Sequence, residues 1–189
     1  MLTELIDKID CNPELMMSLG EQLGNLSEML GTQCTILLTP LEMIASSDDQ
    51  IVRDKAIQAL KKVQEQLDSA TVNTKFMEMC KRLKKGDIFS MRIAASSLYA
   101  NVYPRLDDER KQNAQRKIKK LIGDDTPMVR WGAAQALAVL CHHLDENSLV
   151  DYLLPLLKEL LQDKNDSVKV HAVSSAAEVV KLIKEPAKI

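Results

Sequence analysis

The chain has 189 residues, 46% of them hydrophobic and 28% charged, with a net charge of −2. That apolar share suffices for a sizeable core, and the near balance of 25 bases against 27 acids excludes a strong overall field for nucleic acid or anionic membrane. Aromatics are only 3%, so the core is aliphatic, and six glycines with six prolines are too few for a turn-rich sandwich or barrel.

The first predicted helix is short, from Leu2 to Ile9, and the second carries Glu14, Leu15, Leu19, Leu23 and Leu26. A helix with Leu37, Leu38, Leu41 and Ile44 follows. The polar turn Ser46-Ser47-Asp48-Asp49-Gln50 then leads into one with Val52, Ala56, Leu60, Val63 and Leu67. The next helix ends near Leu83. After a turn from Lys84 to Asp87 comes a helix bearing Ile93, Leu98 and Val102. The turn Gly123-Asp124-Asp125-Thr126 and the turn from Gln162 to Asp166 divide the last two pairs. The spacing predicts units of about 1–30, 31–68, 69–103, 104–144 and 145–189.

One signature ties these units together: an apolar residue, a base, and an alanine three residues on. It occurs as Val52-Arg53 with Ala56, Met91-Arg92 with Ala95, Val129-Arg130 with Ala133, and Val168-Lys169 with Ala172, at intervals of 39, 38 and 39 residues. Self-similarity of this period marks a helical repeat array. Each unit buries its apolar face only against its neighbours, which yields a long exposed surface rather than a closed cavity. The first unit looks cut, and Leu2, Leu5, Val180 and Ile183 lack covering repeats, so the chain reads as a fragment of a longer solenoid, or a shortened member of such a family, whose ends favour association.

The turns are acidic, at Asp10, Asp48-Asp49, Asp87, Asp124-Asp125, and Asp163 with Asp166. A carboxylate before a helix caps free backbone N–H groups and suits the dipole. Thr126-Pro127 fits a cap followed by proline at the first helical position. Arg53, Arg92, Arg130 and Lys169 lie one turn further in, placed to pair with an aspartate of their own or the adjacent repeat as a ladder. Stacked side by side, the turns also form one ridge that a partner can read. Ile88-Phe89 and Pro127-Met128 set apolar surface beside the acids, the mixture from which protein interfaces are built.

Nothing points to catalysis or to a cofactor. The carboxylates are spread along the ridge rather than facing each other, and no Gly-rich phosphate loop, nucleophile elbow or H-E-x-x-H occurs. His142 and His143 point about 100° apart on a helix and make a poor metal pair. His171 stands alone. The basic run Arg116, Lys117, Lys119 and Lys120 reads as the solvated face of a helix that buries Ile118, Leu121 and Ile122. Cys11, Cys34, Cys80 and Cys141 lie far apart without a C-x-x-C pair, which suits reduced core thiols in a reducing compartment. No signal-peptide pattern and no apolar run long enough to span a bilayer is present, so the expected location is cytoplasmic, or also nuclear, with no membrane partner.

This turn-and-helix pattern resembles HEAT repeats. More narrowly, Leu38-Thr39-Pro40-Leu41-Glu42 with Val52-Arg53-Asp54-Lys55-Ala56, Lys81-Arg82-Leu83 with Gly86-Asp87, Tyr103-Pro104-Arg105, and Asp124-Asp125-Thr126-Pro127-Met128-Val129-Arg130 are similar to repeats of the scaffold (A) subunit of protein phosphatase 2A. Glu21-Gln22-Leu23-Gly24 and Asp166-Ser167-Val168 fit the flanking repeats in order. The resemblance covers nearly the whole chain but only the N-terminal repeats of that solenoid.

The resemblance implies an all-α superhelix, a HEAT-repeat solenoid of about five helical pairs with the first incomplete. It implies a non-catalytic scaffold whose turns dock regulatory B-type subunits through Glu14, Asp48, Asp49, Ile88, Phe89, Asp125, Thr126, Pro127 and Met128. The family usually has Trp-Phe where Ile88-Phe89 stands and Arg-Arg where Arg130-Trp131 stands, so Trp131 replaces a ridge charge. The catalytic subunit is a partner only if the missing C-terminal repeats are present. The alternative is a short HEAT-repeat adaptor unrelated to phosphatase.

Overall fold

Apolar residues three and four apart favour amphipathic helices, and the chain winds accordingly. The computed structural model describes residues 2–9 and 12–184, with no strand among them. Helix α1 (Leu2–Ile9) precedes α2 (Pro13–Leu30). A 3₁₀ segment, Gly31–Leu37, leads into α3 (Leu38–Ala45), which turns back into α4 (Gln50–Gln66). The short α5 (Ser69–Thr71) and a π turn, Val72–Phe76, open onto α6 (Met77–Lys85), which is followed by α7 (Phe89–Val102). Then come α8 (Asp108–Ile122) and α9 (Pro127–Leu140). The short α10 (Glu146–Ser148) and a second π turn, Leu149–Leu153, lead to α11 (Leu154–Leu161) and α12 (Asp166–Leu182).

The result is an α-α solenoid. Helices α2, α4, α7, α9 and α12 pack side by side as an inner layer, while α1, α3, α6, α8 and α11 form the outer one. Between the layers lie aliphatic side chains such as Leu41, Leu60, Leu98, Ile118 and Leu137, all fully buried. Each contributes about 1.5–3 kcal/mol by leaving water. Cys34, Cys80 and Cys141 sit in this core as free thiols, and burial pushes all three up from the ordinary thiol value. Asp10 and Cys11 lie outside the described residues.

Small residues draw the inner helices together. A Cβ on Gly24 would lie 2.9 Å from Ala59 Cβ and 3.0 Å from its Cα, so α2 and α4 approach as closely as they do only because Gly24 has none. Where α9 meets α12, Ser175 Oγ donates to the Ala134 carbonyl at 2.8 Å. The seam between α4 and α7 is different. The positions equivalent to Gly20, Gly24 and Ser27 of α2 are Ile57, Lys61 and Gln64 in α4, and this seam is the least closely packed of the four inner ones. Three buried side-chain polar atoms among the described residues lack a protein partner, and all lie here: Arg53 Nε, Gln64 Oε1 and Arg105 Nη1. Their other atoms bridge the seam, Gln64 Nε2 to the Asn101 carbonyl at 3.4 Å and Arg105 Nη2 to the Leu67 carbonyl at 2.6 Å.

The ends are less bare than the sequence suggests. Ile183 is buried beside the last pair, whereas Leu5 and Val180 are exposed as expected. The side chain of Leu2 lies outside what is described.

Candidate partner-docking site

The ridge is built from the turns that precede α4, α7, α9 and α12 and from the start of α2. In the three turns before α4, α7 and α9 its geometry is fixed by one arginine each. Arg53 Nη1 donates to the Ser47 and Asp48 carbonyls at 3.0 and 3.4 Å. Arg92 Nη1 does the same to Gly86 and Asp87 at 3.0 and 2.9 Å, and Arg130 Nη1 to Asp124 and Asp125 at 2.8 and 3.1 Å. Each guanidinium thus ties its own turn into a fixed loop.

The remaining fork of each guanidinium reaches forward. Arg92 Nε and Nη2 grip the Asp124 carboxylate at 2.9 and 3.2 Å, and Nη2 also donates to Thr126 Oγ1 at 3.1 Å. Arg130 Nε and Nη2 grip Asp163 at 2.6 and 2.9 Å. These bonds hold the Asp163 carboxyl below its ordinary range and raise the Arg130 guanidinium. Arg53 has no such rung. The residue six before each base is Ser47, Gly86, Asp124 or Asp163, so Arg53 faces a turn with glycine in the aspartate's place. Its guanidinium is buried and pushed down by desolvation, partly offset by Asp54, Asp48 and Asp49. Lys169 pairs only within its own helix, with Asp166 at 2.6 Å.

The caps differ from the sequence reading. Asp49 caps α4 as expected, its Oδ1 accepting from Ile51 N and Val52 N at 2.8 and 3.1 Å. The caps of α2 and α12 are asparagines: Asn12 accepts from Leu15 N at 3.1 Å and Asn165 from Ser167 N at 3.0 Å. Asp166 lies inside the first turn of α12 rather than before it. At α7 the capping position is Ile88, whose side chain cannot accept, and Asp87 contributes only its carbonyl. Thr126 stands at the capping position of α9, with Pro127 first in the helix, yet its hydroxyl serves Arg92 instead of a backbone N–H.

The ridge residues fall into two groups. Asp48, Asp49 and Ile88 line one groove of about 520 Å³ together with Asp7, Pro13, Met16, Met43 and Val52. Its floor is apolar and its rim acidic. The Asp48 carboxylate is exposed and makes no hydrogen bond or ion pair among the described residues, and Ile88 is 46% exposed. Glu14 is exposed in the first turn of α2, near this end. Further along, Asp125 and Met128 are exposed at the head of α9, and Thr126 and Pro127 are half-buried. Phe89 packs partly into the core. Trp131 is half-buried against His171, edge to face with centroids 4.8 Å apart, so its ring belongs to the seam between α9 and α12. Sequence reasoning missed Asp7, Met16 and Met43 as groove residues, because only the fold brings three turns beside one another.

No family model matches the chain. Among curated proteins it is 36% identical over 174 residues, 91% of its length, to a probable serine/threonine-protein phosphatase PP2A regulatory subunit of Caenorhabditis elegans. It is 34% identical over 78% of its length to the A beta isoform of the human 65 kDa regulatory subunit of serine/threonine-protein phosphatase 2A. To the regulatory A-type subunit of Saccharomyces cerevisiae PP2A it is 31% identical over 95%. The chain belongs to the A-subunit family of protein phosphatase 2A. It spans about 30%, 25% and 29% of the length of those three relatives. The relatives' names are those of regulatory and scaffold subunits, not catalytic ones. The crystal structure of Cex1p matches 93% of the chain with a TM-score of 0.65 at 14% identity, covering 33% of that protein, and shows the shared helical fold alone.

Proposed function

We propose that the chain is a non-catalytic scaffold of a type 2A serine/threonine phosphatase and that its turn ridge docks regulatory B-type subunits. The observation that carries this reading is the groove beside Asp48, Asp49 and Ile88. An apolar floor with a free acid at its rim and an exposed aliphatic side chain is surface the fold itself does not require. Interfaces concentrate their energy in apolar anchors ringed by polar groups. Asp125, Pro127 and Met128 extend the same edge by one repeat. The catalytic subunit enters this reading only through repeats beyond the residues of this chain. An adaptor unrelated to phosphatase draws no support from the relatives.

The test uses two exposed side chains, Asp48 and Ile88, that make no hydrogen bond among the described residues. Asp48→Asn combined with Ile88→Glu leaves the cap at Asp49 and the Arg53 bonds in place and adds no cation beside the buried Arg53 guanidinium. Titration of the chain with a purified B-type subunit is expected to show affinity reduced by about 2 kcal/mol or more, with helicity and thermal stability unchanged. Unchanged affinity would remove the groove from the docking site.

A further inference from the structure

Two runs of cations that are separate in sequence become neighbours on the outer layer. Helix α6 carries four bases and one acid, and α8 six bases and two acids. That is a surplus of seven positive charges on two helices of a chain whose net charge is −2. Three of the bases are held: Arg82 by Glu42 at 2.6 Å, Arg110 by Asp107 at 2.6 Å and Lys111 by Asp108 at 4.0 Å. Lys81, Lys84, Lys85, Lys117 and Lys120 have no ion pair within the described residues. They are close enough to repel one another. Desolvation first, and then Lys84, Lys120, Lys81 and Lys85, push the Lys117 ammonium down.

Between α6 and α8 runs an open groove of about 340 Å³. Lys81 and Lys117 line it, with the side chains of Asn73, Thr74 and Asn113, and Glu78 is its single acid. We propose that this outer groove binds an extended, Asp/Glu-rich segment of a partner protein. This surface is independent of the turn ridge.

Charge complementarity sets the sign of the occupant, and the lining sets its class. Asn73 and Thr74 are held by bonds to the Ser69 and Ala70 carbonyls, which leaves the Asn113 amide to pair with the main chain of an extended peptide, while ammonium groups on both walls meet its carboxylates. The free cations are chiefly lysines, point charges suited to a row of carboxylates. Phosphate groups favour the bidentate fork of arginine, and of the three arginines on these helices Arg82 and Arg110 are already engaged while Arg116 lies outside the groove lining. Neither α6 nor α8 exposes a large apolar side chain, so nothing here inserts into a bilayer, and charge alone anchors weakly. The tyrosine in the groove wall, Tyr99, is buried, which leaves no platform on which bases could stack.

The experiment titrates the full chain with a fluorescent poly-glutamate peptide and, at the same ionic strength, with duplex RNA and with phosphatidylserine vesicles. The peptide is expected to bind most tightly, more weakly as salt rises, and to protect backbone amides of α6 and α8 from hydrogen exchange. Lys81→Glu with Lys117→Glu is expected to lower the peptide affinity by about tenfold or more, whereas Lys158→Glu on α11 leaves it unchanged. Tighter binding of RNA or vesicles, or an affinity that ignores the charge reversal, overturns the proposal. The exchange footprint needs no variant, and a footprint elsewhere on the unaltered chain overturns it as well.

Discussion

Asp163 is the clearest case of one side chain holding two repeats together. It accepts both forward donors of Arg130, and its side chain is only 8% exposed. Asp163→Asn is expected to lower stability by about 2 kcal/mol, since hydrogen bonds to charged groups are the stronger kind. The pH dependence follows from the direction of its shift. Arg130 holds the folded-state pKa of Asp163 below the unfolded value. The stabilisation is therefore fully present above the unfolded value and is lost as pH falls through the depressed one. Thermal unfolding of the two proteins across the acid range should show curves that converge as pH drops. Parallel curves would mean that the rung contributes nothing. Two adjacent aspartates give a sharper contrast. Asp49→Ala removes a cap, at about 1 kcal/mol. Asp48→Ala removes a carboxylate that makes no hydrogen bond or ion pair among the described residues, and is expected to change stability by less than about 0.5 kcal/mol.

The seam between α4 and α7 shows what an element loses when one residue is out of pattern. Gly86 has φ −59° and ψ 143°, a backbone any residue adopts, so its conformation does not require glycine. The space does: a Cβ there would lie 2.5 Å from Met91 Sδ and 2.8 Å from Met91 Cβ. Gly86→Asp alone is therefore expected to destabilise. Paired with Met91→Gly, which removes the Cβ as well as the thioether, it gives Arg53 the carboxylate that Arg92 and Arg130 already have, and the pair is expected to stabilise by about 1 kcal/mol relative to Met91→Gly alone. In the Met91→Gly background, chemical denaturation of the cycle formed by Gly86→Asp and Arg53→Met measures that coupling, and additive effects would show that Arg53 gains nothing. The missing rung was legible in principle, since Ser47, Gly86, Asp124 and Asp163 stand six residues before their bases. The 38–39-residue interval revealed the helical pairs and the acidic turns because hydrophobic period and spacing are local signals. The asparagine caps are local, Asn12 to Leu15 and Asn165 to Ser167, and a reading that weighed only the acids passed over them. The edge-to-face packing of Trp131 on His171 and the cationic groove were hidden, because each depends on side chains one repeat apart, and only the fold decides which of them meet.

A repeat array has no single centre. Each pair is stabilised by its neighbours, and the end pairs have one neighbour instead of two. Helix α1 is eight residues long and leaves Leu15, Leu26 and Met29 of α2 exposed, Met29 to 85%. At the other end α12 exposes Val170, Val173 and Val180, at 61%, 57% and 41%. Val173 stands where Gly20 of α2 meets Ala56 of α4, and Val180 follows two turns on along the same face, so this face has the register of an internal seam with no helix against it among the described residues. Apolar surface in that register favours association, and unlike faces at the two ends make the contact open-ended rather than closed. Sedimentation velocity over a range of concentrations is expected to show species that grow with concentration. Val173→Lys with Val180→Lys is expected to abolish them while changing the unfolding free energy by less than about 0.5 kcal/mol, because both side chains are exposed. A chain that stays monomeric at every concentration, or a double variant that still associates, would show that this face is not the contact.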